Sequence, residues 1–178
     1  MQTDLTLVIR AAYFAGEKHR NQRRGDVEQT PYINHPLELA AILTEEGGIT
    51  DVVTICAALL HDTIEDTETT IHELTEQFGK EISHIVAEVS NDMTLDSAGR
   101  KISEKACIPN LSHRAKLVKI ADKLANIRDV STMPPVGWTL KKKEDYFDFA
   151  REIVTSAQDA SPELYKIFIR DYDMLALS

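Results

Sequence analysis

Residues 52–60, Val-Val-Thr-Ile-Cys-Ala-Ala-Leu-Leu, are apolar almost all round and run directly into His61-Asp62-Thr63-Ile64-Glu65-Asp66. A helix that is hydrophobic on every side has no face to offer water, so it must sit at the centre of its fold. Ending such a helix in an imidazole and three carboxylates is costly unless those groups find partners. The chain is therefore constrained twice: other elements must enclose 52–60, and something must compensate the charge at its end.

The flanking segments read as helices, and no stretch has the period-two pattern of a strand. Leu5, Val8, Ile9, Ala12 and Ala15 trace one face of a first helix, which leads into a polar loop over 21–31. Pro36 suits a first helical position, which makes His35 the expected N-cap, and Gly47-Gly48 ends that helix. Asp51 opens the apolar helix. Thr70 and Glu73 match a capping box for a short helix closing at Phe78-Gly79. A helix follows over 80–90, then a polar connector over 91–99. Leu117, Ile120, Leu124 and Ile127 recur at helical spacing within 115–130, before Met133-Pro134-Pro135 and Gly137 break the pattern. Two more helices are expected, over 140–156 and from Pro162 onward. The reading is an all-α bundle of about eight to ten helices. With no repeat and no dividing linker, residues 1–178 are expected to form a single domain.

Composition narrows the function classes. A formal net charge of -9 argues against a nucleic-acid or membrane-surface partner. The positive charge is uneven, however: Lys18, Arg20, Arg23 and Arg24 fall within seven positions, an island suited to a small anionic ligand. Arg24 is the residue equipped for bidentate phosphate binding, with Lys18 and Arg23 as weaker contributors. Cys56 and Cys107 fit no CxxC or disulfide framework, and Cys56 reads as a buried thiol. Met1-Gln2-Thr3-Asp4 does not open a signal peptide, and no apolar run approaches the ~20 residues of a membrane span. A cytoplasmic location is expected. Oligomeric state is left open, a homo-oligomer included.

On a helix His61 stacks over Glu65 and Asp62 over Asp66, which puts the four on one side. Carboxylates converging there repel one another unless a cation neutralises them, and a divalent metal is the simplest. His35, at the start of its helix, and Asp122, within the apolar-flanked Leu117–Leu124, are the further candidate ligands. Taken singly, each residue has a structural alternative: a cap for His35, a salt bridge for Asp122, a solvated helix end for Glu65 and Asp66. The ordered set His…His-Asp…Asp, each in a helical setting, is harder to obtain from structural needs alone. Imidazole with carboxylate suits Mn, Fe, Zn or Ni better than Ca, without choosing among them. One ion of this kind lowers the pKa of water and polarises a phosphoryl oxygen. Glu65 and Asp66 are placed to move protons beside it. Asn126, four residues after Asp122, faces the same way and reads equally as a substrate contact or a packing residue. His72, His84 and His113 read as structural or exposed.

Four segments carry a resemblance: His19-Arg20-Asn21-Gln22-Arg23-Arg24, Thr30-Pro31-Tyr32-Ile33-Asn34-His35-Pro36, Ala57-Ala58-Leu59-Leu60-His61-Asp62-Thr63-Ile64-Glu65-Asp66-Thr67, and 116–129 with its Ala121-Asp122-Lys123-Leu124-Ala125-Asn126 core. Together they resemble the HD hydrolase domain of the RelA/SpoT family, in its single-domain small alarmone hydrolase form, the metazoan SpoT-homologue type. Weaker similarity at Gly137-Trp138 and Tyr146-Phe147 extends it over nearly the whole chain. The resemblance implies an HD-type helical bundle and a manganese-dependent hydrolase that removes the 3′-pyrophosphate of guanosine tetra- and pentaphosphate. It implies His35, His61, Asp62 and Asp122 as metal ligands, Glu65 and Asp66 as the catalytic acidic pair, and Arg24 and Asn126 as substrate contacts. Gly25 departs from the lysine common at that position, which removes a phosphate contact and implies a looser loop. Two other functions stay in view: an HD phosphohydrolase acting on another nucleotide phosphate such as NADP(H), and a non-catalytic alarmone-binding module.

Overall fold

The computed structural model describes residues 3–175. Its α-helices are α1 (Asp4–Lys18), α2 (Asn34–Ala41), α3 (Val52–Leu60), α4 (Thr63–Asp66), α5 (Ile71–Phe78), α6 (Lys80–Val89), α7 (Ser97–Cys107), α8 (His113–Thr132), α9 (Leu140–Ser156) and α10 (Pro162–Leu175). A π-helical turn, Ile42–Glu46, continues α2, and a 3₁₀ turn, Ile108–Asn110, follows α7. Among the described residues the only extended pairing is an isolated antiparallel bridge between Arg23 and Pro31. The all-α expectation holds. Among the described residues no helix is long and apolar enough to cross a membrane.

The apolar helix is central, as its composition requires. Thr54 to Leu60 are all buried, and α1, α2, α6 and α8 pack around α3. Asp51 caps it, accepting from the Thr54 amide at 3.0 Å. The second pillar is α8, in which every residue from Ala115 to Ala125 is buried. Its sequence is not apolar all round: Lys116, Lys119, Asp122 and Lys123 lie inside with the leucines. Each is paired, which is what makes such burial tolerable.

Several local expectations shift. The inward face of α1 is carried by Ala11 and Ala15, while Leu5 and Ile9 stand 71% and 60% exposed. Alanines four residues apart let α1 approach α3 closely. His35 is not an N-cap; α2 begins one residue earlier, at Asn34, and places both His35 and Pro36 inside its first turn. Pro36 is tolerated there because the amides of a first turn have no helical partner to lose. The Thr70 hydroxyl accepts from the Glu73 amide at 3.2 Å, but the Glu73 carboxylate pairs with Lys18 instead of returning to the cap. Residues 97–107 form a helix that the sequence did not announce. Asp96 caps it through the Gly99 amide at 2.7 Å, but it has no buried apolar stripe to give a periodic signal. His72, His84 and His113 are exposed and Cys56 is buried, as expected.

Arg128 ties three elements together. Its guanidinium donates to both oxygens of Glu46 in the π-turn, at 2.6 and 2.8 Å, and to Asp171 on α10 at 2.8 Å. Replacing Arg128 with Met leaves two acids without their shared cation. The expected loss is about 2 kcal/mol, read as a fall in Tm of about 5 °C. On α2, burial and the nearby Asp129 push the Glu38 carboxyl up to about 7. A carboxyl whose folded pKa exceeds its unfolded value binds its proton more tightly in the folded state. Glu38 thus costs stability progressively as pH rises from its ordinary 4.5 through 7. Glu38→Gln should stabilise the protein relative to the parent at pH 8 by on the order of 1 kcal/mol after solvent screening, read as a higher Tm. At pH 5 the two proteins should melt within a degree or so of each other.

Candidate metal centre

The site forms where α3 stops. Helical geometry lapses at Asp62 (φ -94°, ψ -3°), and the four-residue α4 begins at Thr63. The Thr63 hydroxyl donates to the Leu60 carbonyl at 2.7 Å, inside the protein, and closes the end of α3. His61 therefore stays at the end of the central helix with its ring turned inward. Its Nδ1 lies 2.8 Å from the Ala58 carbonyl. A carbonyl only accepts, so the proton is assigned to Nδ1 and the lone pair to Nε2. That Nε2 is buried and has no hydrogen-bond partner, although Asp62 Oδ2 is 2.9 Å away.

Three other groups converge on it. His35, from the first turn of α2, places Nε2 3.3 Å from Asp122 Oδ1 and 3.9 Å from Asp62 Oδ2. Asp122, from the middle of α8, comes within 4.0 Å of His61 Nε2. The His35 and His61 rings meet edge to face at 5.2 Å. Ligand atoms of His35, His61 and Asp62 all lie within 4.8 Å of one another. Atoms bound ~2.1 Å from one ion stand ~3–4 Å apart, which matches this spacing. With an orphaned imidazole nitrogen among two carboxylates and a second imidazole, the donor set fits one divalent cation. His35, His61 and Asp62 form one tight group, and Asp122 stands beside it against the two imidazoles.

The outer partners are also in place. Tyr32 donates its hydroxyl to Asp62 Oδ2 at 2.5 Å. Asn126 donates to Asp122 Oδ1 at 2.6 Å, and Lys123 donates to Asp122 Oδ2 at 3.0 Å. Burial works against charge on both acids, but the neighbouring cations outweigh it. His61 holds Asp62 far below the usual carboxylate range, and Lys123 with His35 does the same for Asp122. Burial lowers the pKa of His35. In His61 the same effect is overcome by Asp62, which raises the imidazole to about 9.

Glu65 and Asp66 do not converge on the ligands as a single straight helix would have them do. The break at His61-Asp62 turns α4 aside, and the two acids diverge. Glu65 accepts from the Asn91 amide at 2.7 Å and from its side chain, whereas Asp66 accepts from Gln22 Nε2 at 2.9 Å. Burial raises the Glu65 pKa, and the charge of Asp62 adds to that effect. The two acids are thus held by different parts of the chain, Glu65 by Asn91 and Asp66 by Gln22.

Beside the cluster lies a cleft of about 260 Å³ whose walls include Arg24, Tyr32, Asn126, Asp129, Trp138 and Tyr146. Tyr32 and Asn126 belong to both features, since each also bonds a candidate ligand. Arg24 donates to Asn126 Oδ1 at 3.0 Å and to Asp129 at 2.6 Å. Lys18 is not in this wall; its ammonium is 2.8 Å from Glu73. Gly25 is tied down and not loose, because its carbonyl accepts from the Val136 amide at 2.8 Å. A Cβ there would meet Pro135 Cβ at 3.3 Å, so the close approach uses the absent side chain. Sequence reasoning assigned no role to Tyr32, Gln22, Asn91 or Lys123. The first stands three residues before His35, near enough on one segment to have been considered. Asn91 meets Glu65 across 26 residues and leaves no local signal.

Comparison with known proteins places this geometry. A family model described as an HD domain matches residues 11–146. The Xenopus tropicalis protein named guanosine-3′,5′-bis(diphosphate) 3′-pyrophosphohydrolase MESH1 is 51% identical over 154 residues, which cover 86% of each chain. The Homo sapiens protein of the same name is 46% identical over 164 residues, 92% of each. A solved structure reported as a metazoan orthologue of SpoT that hydrolyses ppGpp superposes with a TM-score of 0.92 at 35% identity, over 97% of both chains. This chain belongs to the HD-domain family and, within it, to the branch that the MESH1 proteins represent.

Proposed function

We propose that this chain is a guanosine tetra- and pentaphosphate 3′-pyrophosphohydrolase, acting in the cytoplasm as a single domain with one manganese ion. The observation that carries the reading is the shared wall: Asn126 bonds Asp122 in the ligand cluster and Arg24 in the cleft. A substrate gripped in the cleft therefore presents its phosphates beside the ion. The single-domain reading rests on one hydrophobic cluster that draws on α1 to α3, α5, α6 and α8 to α10.

His35, His61, Asp62 and Asp122 would hold the metal. When bound, the ion supplies Lewis-acid chemistry, making water more acidic and drawing electron density from a phosphoryl oxygen. The protein's own groups handle binding and protons. Arg24 offers a planar fork to the pyrophosphate, exchanging its bond to Asp129 for phosphate oxygens. Lys18, outside the cleft wall and engaged by Glu73, takes no part in that grip. Trp138 and Tyr146, with ring centroids 5.7 Å apart, give the cleft an apolar side for a base. The oxygen of water bonds to phosphorus as the bond to ribose O3′ breaks. One proton leaves the water and one is delivered to O3′, so GDP or GTP and pyrophosphate depart. Glu65 and Asp66, held by different partners next to the ligand pair, are the groups to take the first proton and deliver the second. The raised pKa of Glu65 suits it to holding a proton nearer neutrality.

Metal-stripped protein resupplied with Mn²⁺ should release pyrophosphate from guanosine tetraphosphate faster than phosphate from NADPH or deoxynucleoside triphosphates. No release from the first substrate overturns the assignment, and preference for NADPH moves the enzyme to the other nucleotide reading. Glu65→Gln combined with Asp66→Asn should lower kcat at least ~10³-fold while Mn²⁺ still binds. Binding of substrate with full ligand occupancy but no turnover in the parent would instead identify an alarmone-binding module.

A further inference from the structure

Helix α7 is attached to the bundle in an unusual way. Its only buried residue among those described is Glu104, while its one large apolar side chain, Ile102, stands 69% exposed. Glu104 Oε1 lies 3.0 Å from Lys119 Nζ and 2.9 Å from Lys123 Nζ, all three side chains being 8–9% exposed. Lys123 continues to Asp122 Oδ2 at 3.0 Å and lies over the Phe149 ring at 5.4 Å. The chain of charge Lys119–Glu104–Lys123–Asp122 thus runs from α7 to a candidate metal ligand.

This arrangement divides the labour of the Asp122 carboxylate. Oδ1 faces His35 and accepts from Asn126, and Oδ2 is taken by Lys123. Lys123 steadies the ligand, but its buried ammonium stands one carboxylate away from where a dication would sit. Like charges in a poorly screened interior repel strongly. Two acids, Asp122 and Glu104, balance two lysines, Lys119 and Lys123, so the group is neutral as long as Glu104 is ionised. Burial works against that ionisation, yet Lys123 and Lys119 outweigh it and keep the Glu104 carboxyl below its usual range. A mere anchor for α7 would be complete with Lys119.

We propose that Glu104 is a positioning residue of the metal centre, acting through Lys123: it fixes the outer oxygen of Asp122 and cancels the lysine charge that opposes a bound divalent cation. The inference rests on the metal reading above. It distinguishes charge from packing by sign. Removing the acid adds a net positive charge behind the site, and removing Lys119 subtracts one.

The test is Mn²⁺ titration of the metal-stripped full chain, with free Mn²⁺ read by electron paramagnetic resonance and folding followed by thermal melting. Glu104→Gln should weaken binding about tenfold, the usual scale for loss of an outer partner of a ligand. Lys119→Met should tighten it several-fold, although it too removes an ion pair. The charge-neutral pair E104Q/K119M should return to within about threefold of the parent. Mn²⁺ affinity unchanged in E104Q, or weakened in both single variants, overturns the role of Glu104 and leaves it an anchor. If E104Q does not fold, Lys119→Met decides alone: tighter binding supports the proposal and equal or weaker binding overturns it. A parent chain that takes up no Mn²⁺ overturns the metal centre itself, and this inference with it.

Discussion

Placing a buried His61 and a half-buried Asp62 at the end of an apolar helix is the constraint from which the rest of this structure follows. An imidazole and a carboxylate removed from water must be compensated, and the compensation comes from different parts of the chain. The Ala58 carbonyl accepts from His61 Nδ1–H, Tyr32 donates to Asp62, and His35 and Asp122 arrive from α2 and α8. His61 Nε2, buried without a hydrogen-bond partner, is the group a cation would use. Central packing and metal chemistry are therefore one problem with one solution. The helix that must be enclosed is also the helix that carries the ligands into the interior, where water is scarce and charges act at full strength.

The same logic extends outward through α8. That helix is enclosed although it carries three lysines and an aspartate among its buried residues, and each charge has an opposite neighbour. Ionic pairing of this kind contributes little net stability, since desolvation offsets most of the attraction. What it provides is direction. Asp122 has one oxygen engaged by Lys123 and the other shared between Asn126 and the face of His35, which leaves little freedom to its carboxylate. Arg128, further along α8, orients the helix in the same manner through Glu46 and Asp171.

Much of this was legible along the chain, for identifiable reasons. The central place of 52–60 follows from its composition alone, and the four candidate ligands stand out as ordered histidines and aspartates in helical surroundings. The caps at Asp51 and Thr70 were visible because capping is a local interaction. Readings that required knowing a neighbour were less secure. Of the α1 face read from spacing, Ala15 is buried and Val8 and Ala12 pack on the core, but Leu5 and Ile9 stand exposed and Ala11 turns inward instead. His35 looked like a cap because the proline seemed to start its helix. Helix α7 escaped notice because what holds it is a carboxylate and not a stripe of apolar residues. The acids at 65 and 66 were expected to face the ligands because an unbroken helix was assumed where the chain in fact turns at Asp62.

By itself the sequence determined that this is a helical protein with a buried centre, and which residue types meet there. Periodicity, burial of apolar runs and the cost of isolated charge are properties of short segments and need no knowledge of the fold. Only the tertiary structure decided which oxygen of Asp122 faces inward, that Glu65 answers to Asn91 and Asp66 to Gln22, and that Glu104 stands behind Lys123. Each of these is an angle between side chains brought together from distant positions. Such angles are set when helices pack, and no local pattern encodes them.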